Sequence, residues 1–206
     1  MRRLSLLFSA TLLLSVSAGS VAVAQSTQPI GFGGRVEVPE AGYAITFPDD
    51  WTHVRPSGGD IDAIVDGLTA VAPDIAAVVE QGLAGGLAFS LMAFAPASPG
   101  NDVLENCNVN GGPSGGMSLD FIVAQNVAGL ATLGDIFTTG PDTAIVEMPA
   151  GDAGRIDIGW SLEGQPLEVS VYLYTDGETF QTLTCTGAER PPDDWSSIAE
   201  TFVFLT

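Results

Sequence analysis

The chain has 206 residues, in which 25 acids stand against six arginines, no lysine and one histidine, a formal net charge of −19. Such a surface repels nucleic acid phosphates and anionic lipid head groups, so no nucleic acid partner is expected. With one histidine and two cysteines, a closed tetrahedral zinc set lacks ligands unless a carboxylate joins it.

The chain opens MRRLSLLFSATLLLSVSAGSVAVAQ, with Arg2 and Arg3 ahead of an apolar run and Ala22-Val23-Ala24 in the small-x-small pattern of a cleavage site. Residues 1–24 therefore read as a signal peptide, and the protein as secreted or periplasmic, with no integral membrane segment once the signal is removed. No cysteine stands at the cleavage point to carry a lipid. Loss of Arg2 and Arg3 leaves four arginines against 25 acids, a net charge of −21. Residues 25–38, polar and rich in glycine, read as a flexible lead-in, and 39–206 as one domain.

Tyr43, Ile45 and Phe47 alternate with Ala44 and Thr46, the period of a strand. Pro48-Asp49-Asp50 is expected to turn the chain before it extends again at Trp51. Over 60–83 the period changes: Ile61, Ile64, Val65, Leu68, Val71, Ile75, Val78 and Val79 recur at helical spacing, with Pro73 opening a second helix. This is a helical insertion. LAFSLMAFA follows as a buried strand. NCNVN then sets Cys107 and Val109 on one face and three asparagines on the other. Ser118 is placed to cap a helix that buries Leu119, Ile122, Val123, Val127 and Leu130.

Strands are expected at 144–148, 155–162, 167–175 and 178–186. Asp176-Gly177 is a two-residue type I′ hairpin signal, which would set Leu173 opposite Phe180, Tyr172 opposite Gln181 and Glu168 opposite Cys185. One face then holds Val169, Val171, Leu173 and Phe180; the other holds Tyr172, Tyr174, Leu183 and Cys185. A sheet apolar on both faces requires cover on both. The expected fold class is α+β, a mainly antiparallel sheet with helices packed on both faces, DDWSSIAE supplying one of them and TFVFL a last strand.

The wording of these segments carries a resemblance. YAITFPDDWTHV resembles the opening strand of the PsbP-like family, in which an aromatic-rich strand ends in a Phe-Pro-x-x-Trp turn. NCNVN, GDAGRIDIGWSL, YLYTDGETFQTLTCTG and DDWSSIAETFVFL resemble its later stretches, so that the likeness runs over residues 40–205. It implies a PsbP-like α/β/α sandwich. The family includes the extrinsic subunit of the oxygen-evolving photosystem, a nuclear-transport factor that binds a small GTPase, and secreted bacterial proteins of unknown role. These motifs mark a fold and bring no functional residue with them, and the insertion at 60–83 departs from the plant-type protein.

Chemistry is sparse. A Ser-His-Asp triad would have to use His53 with Asp49 or Asp50, and no Gly-x-Ser-x-Gly elbow accompanies them. Asp60, Asp62 and Asp66 lack the spacing and closing glutamate of a calcium loop and suit a helix N-terminus instead. Trp51, Trp160, Tyr172 and Tyr174 are the candidate ligand face, set against ordinary core packing. Cys107 and Cys185, the two cysteines of an exported chain, are expected to form a disulfide, with buried free thiols as the alternative. The expected function is an exported, non-catalytic module that binds a protein or small ligand, with no cofactor and no resident metal. Its acidic surface suits weak association with divalent cations. The alternative is a secreted hydrolase using His53 or a carboxylate pair.

Overall fold

Alternating apolar residues, many of them β-branched or aromatic, commit most of this chain to strands, and both faces of those strands need burial. The structure, a computed structural model, describes residues 30–56, 61–71, 73, 75–76, 79–80, 89–96, 103–132, 137–162, 165–189 and 194–205. The signal peptide read at 1–24 lies outside the described residues. Among the described residues nine strands form one antiparallel sheet: β1 (Ile30–Val38), β2 (Tyr43–Val54), β3 (Leu91–Phe94), β4 (Asn106–Pro113), β5 (Phe137–Met148), β6 (Gly151–Leu162), β7 (Gln165–Thr175), β8 (Thr179–Gly187) and β9 (Val203–Phe204). Their order is β1-β2-β3-β4-β8-β7-β6-β5, with β9 paired to β2. Helices with described bounds accompany them: α1 (Ile61–Val71), α2 (Leu119–Ala131) and α3 (Asp194–Glu200).

The sequence reading needs two corrections at the start of the sheet. Residues 30–38, assigned to the flexible lead-in, are β1, paired with β2 from Ile30↔Val54 to Val38↔Tyr43. Val36 and Val38 alternate into the core, which outweighs the glycines before them. Nor does Pro48-Asp49-Asp50 turn the chain, because β2 runs through it. The register shifts between Phe32 and Gly34, where Gly33 and Gly34 adopt φ of +39° and +70°. A side chain on Gly33 would collide with the Asp49 backbone, so the glycine lets β1 follow the irregular part of β2.

The hairpin joining β7 and β8 also differs. Thr175 faces Phe180, Tyr174 faces Gln181, Tyr172 faces Leu183 and Ser170 faces Cys185. The loop is Gly177-Glu178, one residue later than expected. Asp176 causes the shift: its carboxylate accepts the N–H groups of Glu178 at 2.9 Å and Thr179 at 2.7 Å. Gly177, at φ +90°, then occupies the first central position, where glycine is favoured in a type II′ turn. Moving a turn by one residue slips the register by two, so each side chain keeps its face.

One face carries Tyr172, Tyr174, Leu183, Cys107 and Cys185, packed against Trp195, Ile198 and Ala199 of α3. On the other, Val169, Val171 and Leu173 pack with Ile156, Ile158 and, from α2, Ile122 and Leu130. Ser118 caps α2 by accepting the Phe121 N–H. Still on that face, Ile64 and Leu68 of α1 pack on Val54, Met92 and Phe94. Between the α1 and α2 clusters run Asn106, Asn108, Thr182, Thr184 and Thr186, all buried. At the centre of the sheet Cys107 and Cys185 are register partners, and they form a disulfide with Cα atoms 4.0 Å apart.

Candidate functional site

β4 and β8 stay paired as far as Pro113↔Thr179, whereas the β3–β4 register ends at Leu91↔Val109. At this end of the sheet the 3-10 turn Pro39–Ala41, Phe89 and Ser90, residues 110–113 of β4, and Thr179 and Gln181 of β8 enclose a cleft of about 640 Å³. That volume lies within the usual range for small-ligand sites.

The polar groups of its wall are unusual. Gln181 is only 3 % exposed, on the apolar face of β8. Its Nε2 donates to the Ala41 carbonyl at 2.9 Å, while its Oε1 is buried with no hydrogen-bond partner. Gly111 stands opposite Gln181 in the register, and a Cβ there would collide first with the Phe180 carbonyl and then with the carboxamide, so both backbone and side chain require glycine here. Asn110, the last of the three asparagines of NCNVN, has an Nδ2 that is likewise buried and unpartnered. Ser90 Oγ donates to the Val109 carbonyl at 3.0 Å, and the Tyr43 hydroxyl lies 2.7 Å from the same Oγ. Since the serine has one proton to give, Tyr43 is the donor to Ser90. Burial raises the Tyr43 pKa far above its ordinary value, which keeps that proton in place. Glu40 stands exposed at the rim. The wall thus offers one buried amide acceptor beside the carboxylate of Glu40, while the Asn110 side chain, in register with Thr182, lies on the opposite face of the sheet.

The four aromatic residues of the candidate ligand face do not converge. Trp51, Tyr172 and Tyr174 are buried in the core under α3. Tyr174 donates to the Ala199 carbonyl at 2.9 Å, and its ring stacks on Phe202 with centroids 4.1 Å apart. Trp160 lies on the opposite face, half-buried among the residues packed under α2. Trp51, Tyr172 and Tyr174 thus pack in one core, apart from Trp160, whose Nε1 is buried without a hydrogen-bond partner.

His53 sits on β2 between Gly31 and Ala93, and its ring occupies the place a side chain on Gly31 would need. Nδ1 is buried and bonded to nothing, so neither Asp49 nor Asp50 orients the imidazole through it. Burial lowers the His53 pKa, and the nearby Arg55 cation lowers it further. Among the described residues no group of three or more metal-ligating side chains converges. Gln181 escaped the sequence reading. The available signals were a glutamine on the apolar side of TFQTLTCTG and the glycines that follow NCNVN.

No family model and no curated protein matches the chain. Several solved structures do. A protein from Bacteroides thetaiotaomicron VPI-5482 matches with a TM-score of 0.48 at 10% identity, covering 84% of this chain and 49% of its own. The chain thus spans about half the length of that protein. Cyanobacterial PsbP from Synechocystis sp. PCC 6803 matches with a TM-score of 0.44 at 13% identity, over 92% of this chain and 98% of the PsbP chain. LpqN of Mycobacterium tuberculosis, described as involved in cell envelope biogenesis, matches with a TM-score of 0.42 at 11% identity, over 84% and 86% of the two chains. The PsbP-like resemblance read from YAITFPDDWTHV and the segments after it recurs here as a structural match.

Proposed function

We propose that the protein is an exported, non-catalytic binding module whose ligand occupies the cleft between the Pro39–Ala41 turn and the ends of β4 and β8. The observation that carries this reading is the Gln181 carboxamide, held by Ala41 through Nε2 with Oε1 buried and unanswered. An unsatisfied buried acceptor costs about 1–3 kcal/mol, and a ligand N–H that reaches it recovers that cost. That acceptor fits the N–H of an amide or peptide group. Glu40 at the rim favours a neutral or cationic ligand over an anionic one. Export rests on the pattern of residues 1–24, and a disulfide suits an oxidising compartment.

The test is an NMR titration of the protein with N-acetylalanine methylamide, the smallest complete peptide unit. The Gln181 side-chain amide and the Gly111 and Gly112 backbone signals are expected to shift together and saturate. If these signals stay still into the millimolar range, the reading fails. An ester, peptide or glycoside hydrolysis lost on His53→Ala would replace it with the hydrolase alternative.

A further inference from the structure

The strand order ends on β5, whose outer edge pairs with no strand among the described residues. Its pairing to β6 shifts register between Phe137 and Asp142 but runs unbroken from Asp142↔Asp157 to Met148↔Gly151. Those seven residues span about 23 Å of regular edge. Exposed edges are usually blunted by bulges, proline or cover, and here the irregularity and Pro141 lie before Asp142.

α2 lies beside this edge on one face. Thr143 and Ile145 share that face, because their partners Ile156 and Gly154 lie under α2. Gly154 sits directly beneath Val123, where any side chain would collide. α2 is thereby held over β6, leaving a groove of about 580 Å³ that is lined by Val123 and Val127 on one wall and by Thr143 and Ile145 on the other. Ile145 is 48% exposed in it. Asp120 lines the groove, and Glu147 and Asp152, register partners, are exposed on the same face. The three arginines among the described residues lie elsewhere. Arg35 and Arg55 belong to the β1–β2 end, and Arg155 is on the opposite face, over the Tyr172 ring and paired with Asp157.

We infer that this edge and groove receive an extended basic segment of another protein, added to β5 as a further strand. Main-chain bonds to residues 142–148 supply the register, and alternate apolar side chains enter the groove between α2 and β5. Asp120, Glu147 and Asp152 lie on the groove's own face, so they select arginine or lysine on that face, at the positions flanking the apolar side chains. A second copy of this chain would bring the same acids to the same edge, so charge argues against it as the occupant.

The probe is an acetylated, amidated heptapeptide with arginine at its first and seventh positions, valine at its third and fifth and threonine at the others, so that arginines and valines share one face. On adding it, amide exchange is expected to slow at alternate residues of 142–148, and the signals of Val123 and Val127 to shift. Ile145→Asp, at a half-exposed position, should weaken binding about tenfold. Two versions of the peptide, methylated on odd or on even backbone amides, separate strand pairing from simple charge attraction. One phase should lose binding by about tenfold or more while the other keeps it. The inference is overturned if the unmethylated peptide does not bind, if both phases bind alike, or if the same peptide with glutamate in place of each arginine binds as well. Self-association of the free protein through β5 would overturn it too, by making a second copy the occupant.

Discussion

His53, the single histidine of the chain, occupies a place in the fold that the sequence does not show. Its ring fills the space left by Gly31 and its Nδ1 is buried without a partner, so protonation is opposed by burial first and by Arg55 second. The folded-state pKa therefore lies below the ordinary 6.5. The unfolded chain takes up the proton first as the pH falls. Stability attributable to this residue is complete above about 6.5 and declines from there towards the folded pKa, where it levels. The expected outcome is an NMR titration of His53 with a midpoint below 6.5, and a flatter stability–pH curve over that window in His53→Gln. A midpoint at or above the ordinary value would contradict this account of the site. The sequence made His53 conspicuous by its singularity, yet it could not reveal Gly31 beneath the ring, because that contact depends on β1 existing at all.

At the scale of elements, the β7–β8 hairpin shows which information survives an error. Asp176 accepts two backbone N–H groups and moves the turn one residue on, so the expected partners were each displaced by two. Faces repeat every two residues, and the assignments of Val169, Val171 and Leu173 to one side and of Tyr172, Tyr174 and Cys185 to the other were legible for that reason. β1 was not legible. Its glycines read as flexibility, although they serve a bulge against the irregular middle of β2. The disulfide ties β4 to β8 where both strands are most buried, with Cys107 1 % and Cys185 0 % exposed. It closes a separation of 78 residues, for which chain entropy predicts a stabilisation of ~4 kcal/mol. Against a typical domain stability of ~5–15 kcal/mol, the reduced protein should still fold, since the β4–β8 ladder remains. Denaturant titrations with and without reductant are expected to show a clear fall in midpoint on reduction. Thiols that alkylate in the denatured, unreduced protein would show that the bond is absent.

For the whole molecule, a sheet apolar on both faces demanded cover on both, and α2 with α1 on one side and α3 on the other meets that demand. The cleft was beyond the sequence. It joins residues 39–42, 89–90, 110–113 and 179–181, segments that only the strand order β3-β4-β8 brings together. Gln181 was expected opposite Tyr172, deep in the hairpin. It lies instead between Tyr174 and Gly111, where its carboxamide reaches the Ala41 turn. The central claim is that this carboxamide receives the ligand, and comparing the affinity of N-acetylalanine methylamide for the wild type and for Gln181→Leu tests it most directly. Leucine removes the orphaned acceptor together with the bond to Ala41, so the two losses in part offset and the variant should fold. The account predicts binding by the wild type and several-fold weaker binding by the variant, with Gly111 and Gly112 no longer shifting. Equal affinity in the two proteins, with the same signals moving, would contradict it.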